Sequence, residues 1–224
     1  MKPYYSHGGI TIYHGDCRDW HGNADLVLTD IPYGEVNRSS GGLRVLDKGL
    51  ADVETMPISD VVDVLLSPVP HTIYVFCGTE QVSPIRSGLV EADLTTRLGV
   101  WEKTNPSPMN GDVIWLSSVE CCVFARREKA PFNERCASPV WRGPTETERW
   151  GHSTPKPRWL FDRLMLASSL PNQLVIDPFC GSGTTLVSAK NLGRRAIGIE
   201  IEERYCEIAA KRLSQEVLDF GGVA

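Results

Sequence analysis

The chain has 224 residues, of which 42% are hydrophobic and 23% charged, with a formal net charge of −5 at pH 7. These values are typical of a globular protein and exclude disorder, coiled coil and collagen. The length suits a single domain spanning 1–224, since one hydrophobic core grows efficiently only to about 250 residues. No apolar stretch approaches the ~20 residues of a membrane span, and the first residues lack a secretory signal. We therefore expect a cytoplasmic protein without a membrane partner.

Seven cysteines are scattered along the chain, and no two of them form a C-x-x-C pair. A disulfide framework and a zinc site are therefore not indicated. None of the five histidines has the spacing of metal ligands. We expect reduced thiols and no metal.

Short apolar runs alternate with helical patterns along most of the chain. Five runs have the character of strands buried on both faces, namely residues 24–29, 71–77, 120–125, 174–179 and 196–201. Helical patterns occupy 58–66, the stretch after the Thr154 cap and Pro155, 184–192 and 202–213. This alternation predicts right-handed β-α-β units and a mainly parallel, doubly wound α/β sheet.

Two segments interrupt this pattern. Residues 35–49 are rich in Gly and Ser and predict a mobile loop or lid. Residues 126–151 are polar and rich in Arg, which indicates a small recognition insert; the alternative is a surface excursion whose tryptophans fill the edge of the core. Between 121 and 163 nine basic residues face five acidic ones, so this stretch carries +4 and the remainder −9. The local charge weakens the objection that an acidic chain binds nucleic acid poorly.

The segment DPFCGSGTT (177–185) follows a predicted strand and leads into a predicted helix. Parallel sheets bind ligands beyond the carboxyl ends of their strands, and glycines let the backbone approach a ligand closely. Leu186 stands where a dinucleotide fingerprint needs a third small residue, which disfavours a pyrophosphate site. Glu200, at the end of the next strand, can accept hydrogen bonds from both hydroxyls of a ribose. We infer a nucleoside ligand; the alternative is a glycine turn with a helix-capping glutamate.

The segment DIPY (30–33) also follows an apolar strand directly. Asp30 offers a carboxylate, and Pro32 holds Ile31 extended so that the Ile31 carbonyl has a fixed direction. Tyr33 adds a flat ring for stacking. Together these groups form a receptor for a planar ligand with an exocyclic amine, which donates two hydrogen bonds. The alternative is an ordinary turn at a strand end.

These motifs resemble the β class of S-adenosylmethionine-dependent DNA amino methyltransferases, which modify adenine N6 or cytosine N4. In that family a catalytic D-P-P-Y-type motif comes first, the target-recognition region follows, and a cofactor F-x-G-x-G motif lies near the C-terminus. This chain has the same order, with DIPY at 30–33, the polar segment at 126–151 and FCGSG at 179–183. Further matches are GDCRD (15–19), IYVFCGTEQ (73–81), WEKTNPSP (101–108) and HSTPKP (152–157). The resemblance implies a Rossmann-like methyltransferase fold with a circularly permuted motif order.

The resemblance also implies roles for single residues. Thr184 would reach the methionine end of S-adenosylmethionine, Lys156 would close that side, and the product would be S-adenosylhomocysteine. Asp16 and Cys17 match a segment that contacts the cofactor adenine. The remaining cofactor residues would be Asp177, Phe179, Gly181, Ser182, Gly183 and Glu200, and the catalytic ones Asp30, Ile31, Pro32 and Tyr33. Ile31 replaces the first proline of the family motif, and since that position contributes its carbonyl we expect activity to be retained.

By resemblance, the reaction is site-specific methylation of adenine N6 in double-stranded DNA, with Asp30 favouring adenine. A base inside a duplex must be flipped out before it reaches the cofactor, at a cost of a few kcal/mol. Asp30 and the Ile31 carbonyl would then hold the two amino hydrogens for direct in-line transfer, so positioning and electrostatic stabilisation supply the catalysis. The resemblance further implies a prokaryotic or phage-encoded enzyme of a restriction-modification type.

We expect DNA contacts from Arg126, Arg127, Arg142 and Arg149, and a homodimer as one way to enlarge a small footprint. Cytosine N4 is the nearest alternative target, because its amine suits the same receptor. Methylation of RNA or of a protein glutamine is disfavoured by the permuted order. A catalytically silent cofactor-binding or DNA-binding subunit is an alternative of another class, for which Ile31 is the only hint.

Overall fold

The computed structural model describes residues 1–33, 56–108, 111–146 and 155–215. Within these ranges one sheet contains the strands β1 (Pro3–His7), β2 (Ile10–His14), β3 (Leu26–Asp30), β4 (Thr72–Cys77), β5 (Thr95–Lys103), β6 (Val119–Arg126), β7 (Val140–Gly143), β8 (Leu174–Asp177) and β9 (Arg195–Glu200). The sequence predicts β3, β4, β6, β8 and β9 to within two residues at each end and misses the other strands. The predicted loop at 35–49 lies outside the described residues.

The strand order is β1-β2-β9-β8-β3-β4-β6-β5-β7. From β2 to β4 every neighbouring pair is parallel, and β7 is parallel to β5. The pairs β1–β2, β4–β6 and β5–β6 are antiparallel. The prediction of a mainly parallel sheet is confirmed, and the ends of β3, β4, β8 and β9 meet at one edge, called the carboxyl edge below.

The α-helices of the described residues are α1 (Ile58–Leu66), α2 (Thr79–Glu91), α3 (Arg158–Ser168), α4 (Thr184–Asn191) and α5 (Glu203–Ser214). The bounds of α1, α4 and α5 match the predicted helices to within one residue. The predicted start of α3 is wrong, because Pro155 precedes the helix and its first residue is Arg158. Pro157 explains the shift, since a proline disfavours helical backbone at the residue before it and so keeps Lys156 out of the helix. No helix in the described ranges is long and apolar enough to cross a membrane.

The helices cover both faces of the sheet. On one face, Leu26 and Leu28 of β3 belong to a core cluster with Leu164 of α3 and Leu186 of α4. On the other face, Val27 belongs to a second cluster that includes side chains of α1 and α2. Alternate residues of β3 are thus buried on opposite faces, as in a doubly wound sheet.

The segment 126–151, expected to be a recognition insert, contains the edge strand β7. Trp141 of this strand is buried and belongs to the same core cluster as Leu26. Its ring lies against Gly99 of β5 so closely that a Cβ there would lie 2.3 Å from the ring. Trp150 lies outside the described residues. The structure therefore places part of this segment in the main sheet, and its role in recognition stays a prediction.

Candidate active site

Each of the two motifs begins at the last residue of a strand, and these two strands are neighbours in the sheet. Asp30 is the last residue of β3 and Asp177 the last residue of β8, and these strands pair in parallel. Glu200 ends β9, the next strand of the sheet. Residues 148 positions apart in the chain thus come into contact, as the Thr29–Asp177 hydrogen bond demonstrates.

The glycine turn (residues 177–184) is organised around Asp177. One oxygen of this buried carboxylate accepts a hydrogen bond from the Thr29 hydroxyl at 2.6 Å and another from the Phe179 N–H at 3.1 Å. The second oxygen accepts from the Thr185 hydroxyl at 2.5 Å. Burial outweighs these bonds and raises the pKa of Asp177 to about 6. Asp177 therefore shapes the turn through bonds to the protein itself.

Two glycines of the turn are required by the backbone. Gly181 has a φ of +49° and Gly183 a φ of +82°, values that other residues rarely adopt. A Cβ on Gly183 would also lie 2.8 Å from the Cβ of Ala209 in α5. Between them, the Ser182 carbonyl accepts a hydrogen bond from the Arg212 guanidinium at 2.6 Å. Sequence reasoning missed Arg212, whose position in an amphipathic helix does not distinguish it from a surface residue.

Glu200 closes the turn from the neighbouring strand. Its carboxylate accepts hydrogen bonds from the N–H groups of Gly181 and Glu202, both at 2.8 Å. Burial raises the pKa of Glu200 to about 7 despite these bonds. Because each carboxylate oxygen has two lone pairs, capacity remains for two hydroxyl donors. Glu200 is therefore a structural cap with acceptor capacity left over, and its contact with a ribose stays a prediction.

Asp16 and Cys17 lie beside Glu200, since the N–H of Gly15 donates to the Glu200 carbonyl at 2.9 Å. Asp16 caps a 3₁₀ turn (Cys17–Asp19), and its carboxylate is held by the Arg18 guanidinium, which lowers the pKa of Asp16. Cys17 borders a cleft of about 250 Å³ whose apolar walls include Ile176, Pro178 and Ile199. Cys17 lines this cleft and Asp16 is not among its lining residues, and the expected contact of both with the cofactor adenine stays a prediction.

The amine receptor (residues 30–33) contacts Lys156, which lies 126 positions later in the chain. The Lys156 ammonium donates to one oxygen of Asp30 at 2.5 Å and to the Tyr33 hydroxyl at 3.2 Å, and it lies 5.2 Å from the centre of the Tyr33 ring. The other oxygen of Asp30 is buried and has no hydrogen-bond partner among the described residues. An unpaired buried carboxylate oxygen is costly, so it indicates a place where a ligand donates.

Lys156 also pairs with Glu120, a residue that sequence reasoning missed. The Lys156 ammonium lies 3.0 Å from Glu120, and Lys103 lies 2.7 Å from the other oxygen of that carboxylate. Burial alone would raise the pKa of Glu120, but the two lysines outweigh it and lower this pKa to about 2. Burial likewise opposes the charge of Lys156, yet Asp30 and Glu120 raise the pKa of Lys156 above its usual value. The sequence contains a signal for Glu120, since an acidic residue is the first of the otherwise apolar run 120–125.

Ile31 and Pro32 are tied to the neighbouring strand and helix. The Ile31 N–H donates to the Phe76 carbonyl at 3.1 Å, and the Ile31 side chain is buried in the core. The Pro32 carbonyl accepts from the Gln81 amide at 3.0 Å, and the Gln81 carbonyl in turn accepts from the Gly78 N–H. Ile31 therefore adds a backbone bond that a proline could not make.

One small cavity brings the two motifs together. Its lining includes seven of the predicted site residues, namely Asp30, Lys156, Asp177, Phe179, Gly181, Ser182 and Thr184. Pro155 and Phe161 complete the side formed by α3 and the residues before it. The Asp30 carboxylate, one oxygen of which has no partner among the described residues, thus lines the same cavity as the glycine turn.

Residues 24–211 match the family model of the N6/N4 methyltransferases, described as DNA methylase. The chain belongs to this family. Type II methyltransferase M2.LlaDCHI of Lactococcus lactis subsp. cremoris is 30% identical over 251 residues, covering 96% of this chain and 93% of that protein. The resemblance inferred from the permuted motifs is confirmed, and this protein is a DNA amino methyltransferase of the N6/N4 type.

Solved structures agree with the fold of this DNA methylase. The crystal structure of the M1.HpyAVI–SAM complex has a TM-score of 0.72 and 27% identity, covering 92% of this chain and 100% of that chain. The cytosine-N4-specific PvuII DNA methyltransferase also has a TM-score of 0.72, at 16% identity, covering 97% and 90% of the two chains. The Rossmann-like methyltransferase fold expected from the sequence is confirmed.

The four arginines expected to contact DNA do not lie together in this DNA methylase. Arg126 pairs in register with Thr72, at the start of β4, and therefore lies at the sheet edge opposite the amine receptor. The Arg126 guanidinium donates to the Ala130 carbonyl, and Arg127 donates to the Pro70 carbonyl. Arg142 lies at the carboxyl edge, is exposed, and pairs with Glu102 at 3.3 Å. Arg149 lies outside the described residues.

An apolar segment that sequence reasoning passed over also lies at the carboxyl edge. Residues 111–118 lie in the connection between the end of β5 and the start of β6. Within them Val113, Ile114 and Trp115 are exposed, and 96% of the Trp115 surface is accessible. An exposed tryptophan among exposed apolar side chains is a candidate contact surface.

Proposed function

We propose that this chain transfers a methyl group from S-adenosylmethionine to the N6 amine of an adenine flipped out of double-stranded DNA. The observation that carries this proposal is the buried oxygen of Asp30 that has no hydrogen-bond partner among the described residues, on a carboxylate that lines one cavity with the glycine turn. An exocyclic amine donates two hydrogen bonds, and this oxygen is placed to accept one of them. Within the family resemblance, Asp rather than Ser at position 30 favours adenine over cytosine.

The residues present fit the cofactor. The glycine turn would accommodate its methionine portion, with Ser182 and Thr184 at that end. Glu200 would accept the ribose hydroxyls, and the cleft beside Cys17 would take the adenine ring. The crystal structure of M1.HpyAVI with SAM, a neighbour at 27% identity, supports the same cofactor here. When bound, S-adenosylmethionine supplies an electrophilic methyl group on its sulfonium.

The protein's part in the reaction is to hold the amine. Flipping costs a few kcal/mol, and stacking of the base on Tyr33 offsets part of that cost. Asp30 and the Ile31 carbonyl accept the two amino hydrogens and draw the nitrogen lone pair towards the methyl group. As the methyl group left the sulfonium to give S-adenosylhomocysteine, positive charge would develop on the nitrogen and the Asp30 carboxylate would stabilise it; the surplus amine proton would then pass to solvent. No protein nucleophile takes part in direct transfer.

We place the DNA against the carboxyl edge, where Arg142 and the segment 111–118 are exposed. Arg126 and Arg127 are not part of this proposal, because they lie at the opposite edge and are bonded to carbonyls. Arg149, which lies outside the described residues, is retained as an expected DNA contact on sequence grounds. One arginine and one apolar segment would contact only a short stretch of DNA. A homodimer would double the length of DNA contacted.

Cytosine N4 is the second candidate, because the PvuII enzyme named as cytosine-N4-specific shares the fold and the receptor suits either amine. The Ile31 geometry disfavours a catalytically silent subunit. The Ile31 N–H extends the hydrogen-bond ladder between β3 and β4, so isoleucine in place of the family's proline leaves the receptor backbone ordered.

Labelled methyl transfer to duplex DNA, followed by nucleoside analysis of the digest, tests the proposal. We expect N6-methyladenine as the labelled nucleoside. N4-methylcytosine would select the second candidate, and absence of label in any DNA would overturn the activity. Glu207→Gln, which removes an exposed carboxylate paired with Lys211 on α5, is a control that should retain wild-type activity.

A further inference from the structure

Four charged side chains form an alternating chain that begins in the amine receptor. Asp30, Lys156, Glu120 and Lys103 follow one another with nitrogen–oxygen distances of 2.5, 3.0 and 2.7 Å. The Lys156 side chain is only 6% exposed, and those of Glu120 and Lys103 are 18% and 14% exposed. Two positive and two negative charges balance, which a buried cluster requires. Asp30 and Lys156 have roles in the proposed function, whereas Glu120 and Lys103 have none so far.

Glu120 determines where the Lys156 ammonium lies relative to Asp30. An ammonium has three N–H donors and, facing a single carboxylate, can approach both of its oxygens. Here it donates to one oxygen of Asp30 and lies between that oxygen and Glu120, while the second Asp30 oxygen has no partner among the described residues. The attraction to Glu120 thus keeps Lys156 away from the oxygen that the substrate amine needs.

Glu120 also orients Tyr33, the stacking ring of the receptor. The Tyr33 hydroxyl donates to Glu120 at 3.3 Å and accepts from Lys156 at 3.2 Å. The ring is therefore fixed at its hydroxyl end by Glu120 and Lys156. Lys156 is also the residue that binds one oxygen of Asp30 and leaves the other without a partner among the described residues. Lys103, on the far side of Glu120, supplies the second positive charge, without which two carboxylates would share one ammonium.

We propose that Glu120, supported by Lys103, is a positioning residue that holds Lys156 on one oxygen of Asp30 and reserves the other oxygen for the target amine. This inference rests on the proposed function, since it assumes that Asp30 receives an amine. Neither residue touches the reacting atoms.

The test compares Glu120→Gln with the wild-type chain in methyl transfer to duplex DNA. We expect kcat to fall about 10- to 100-fold, the loss typical of a misplaced reacting group. Cofactor affinity by calorimetry should change less than about threefold, because Glu120 lies outside the glycine turn. Glu120→Asp, which keeps the charge, should recover part of kcat. Glu207→Gln, which breaks an exposed ion pair with Lys211 on α5 at 2.6 Å, is the control and should leave kcat unchanged.

A double variant separates positioning from stability. Glu120→Gln leaves Lys103 without its partner and should lower Tm, whereas Glu120→Gln with Lys103→Met restores the charge balance. We expect Tm to recover in the double variant while kcat stays low. Recovery of kcat together with Tm, or a wild-type kcat in Glu120→Gln, would overturn the inference.

A measurement without turnover keeps the inference separate from the proposed function. Carbon NMR of the Asp30 carboxyl reports its pKa, which burial and the Glu120 charge raise and which Lys156 and Tyr33 lower; the nearby Asp177 carboxyl is coupled to it. In Glu120→Gln, Lys156 is free to pair fully with Asp30 and a like charge is lost, so this pKa should fall. An unchanged pKa contradicts the inference even if the enzyme methylates DNA, while wild-type inactivity on DNA contradicts only the proposed function.

Discussion

The glycine turn and the amine receptor lie at the same sheet edge but differ in how their carboxylates are satisfied. Both oxygens of Asp177 and both oxygens of Glu200 accept hydrogen bonds from the protein. In the receptor, one oxygen of Asp30 has no partner among the described residues and the other is held by a buried lysine. The two carboxylates of the turn are therefore bonded within the protein itself, whereas in the proposed function the free acceptor of the receptor is filled by the target amine.

This difference assigns separate tasks to the two regions. A fully bonded turn is rigid and provides binding that does not depend on the reaction step. A receptor with a free acceptor provides interactions that strengthen as charge develops on the amine. Variants in the turn should therefore affect cofactor binding, and variants in the receptor should affect kcat.

Asp30→Ala gives the largest expected effect and tests the receptor side of the comparison. Removal of the acceptor should reduce methyl transfer at least about 100-fold, as for other groups that stabilise developing charge. Cofactor affinity by calorimetry should stay near that of the wild type, because the turn is intact. Residual transfer near the wild-type rate would mean that residues 30–33 form only a turn.

Glu200→Ala tests the turn side. Loss of hydrogen bonds to a charged acceptor, about 1.5–3 kcal/mol, should weaken cofactor binding by about 10- to 100-fold. The pKa of Glu200 near 7 adds a pH signature, since the carboxyl is partly protonated below that value while ribose hydroxyls favour the carboxylate.

Affinity of the wild type should therefore decrease as pH falls through 7, with proton release on binding that is measurable by calorimetry in buffers of different ionisation enthalpy. Release should vanish above about pH 8 and in Glu200→Gln. An unchanged dissociation constant in Glu200→Ala would assign Glu200 to capping alone.

Arg142→Ala extends the comparison to the DNA-facing edge, with a smaller effect. If Arg142 contacts a phosphate, the salt dependence of DNA binding should flatten by about one unit and the KM for DNA should rise a few-fold. Arg126→Ala is the matched control on the opposite edge and should change Tm without changing the salt slope. Equal slopes for both variants and the wild type would remove Arg142 from the interface.

Ile31→Pro is expected to have the smallest effect on activity. It restores the family motif, but it deletes the N–H that donates to Phe76 and replaces a buried side chain. We expect a loss of about 1–2 kcal/mol in unfolding free energy, from denaturant titration, with kcat within a few-fold of the wild type. A large gain in kcat would instead mean that Ile31 limits the enzyme.

Motif spacing predicted seven residues that line one cavity, and local patterns predicted only part of the fold. The strands at 24–29 and 174–179 and the turns after them were recognisable because apolar runs and glycines act locally. The strands β1, β2, β5 and β7 were missed, since they lie towards the sheet edges, where one-sided burial weakens the apolar pattern. Pro157 delays the start of α3 to Arg158. The effect of a proline on the residue before it could have predicted this shift.

The sequence by itself determined the family, the parallel core of the sheet and the residues of the two motifs, because spacing and residue type are local properties. Only the tertiary structure decided which charges meet. Lys156 is 126 positions from Asp30, and Glu120 reaches Lys156 because β6 runs antiparallel to β4 and begins at the carboxyl edge. The same antiparallel strand carries Arg126 to the opposite edge. Strand direction is determined by the packing of the whole sheet, so no segment of sequence taken alone contains it.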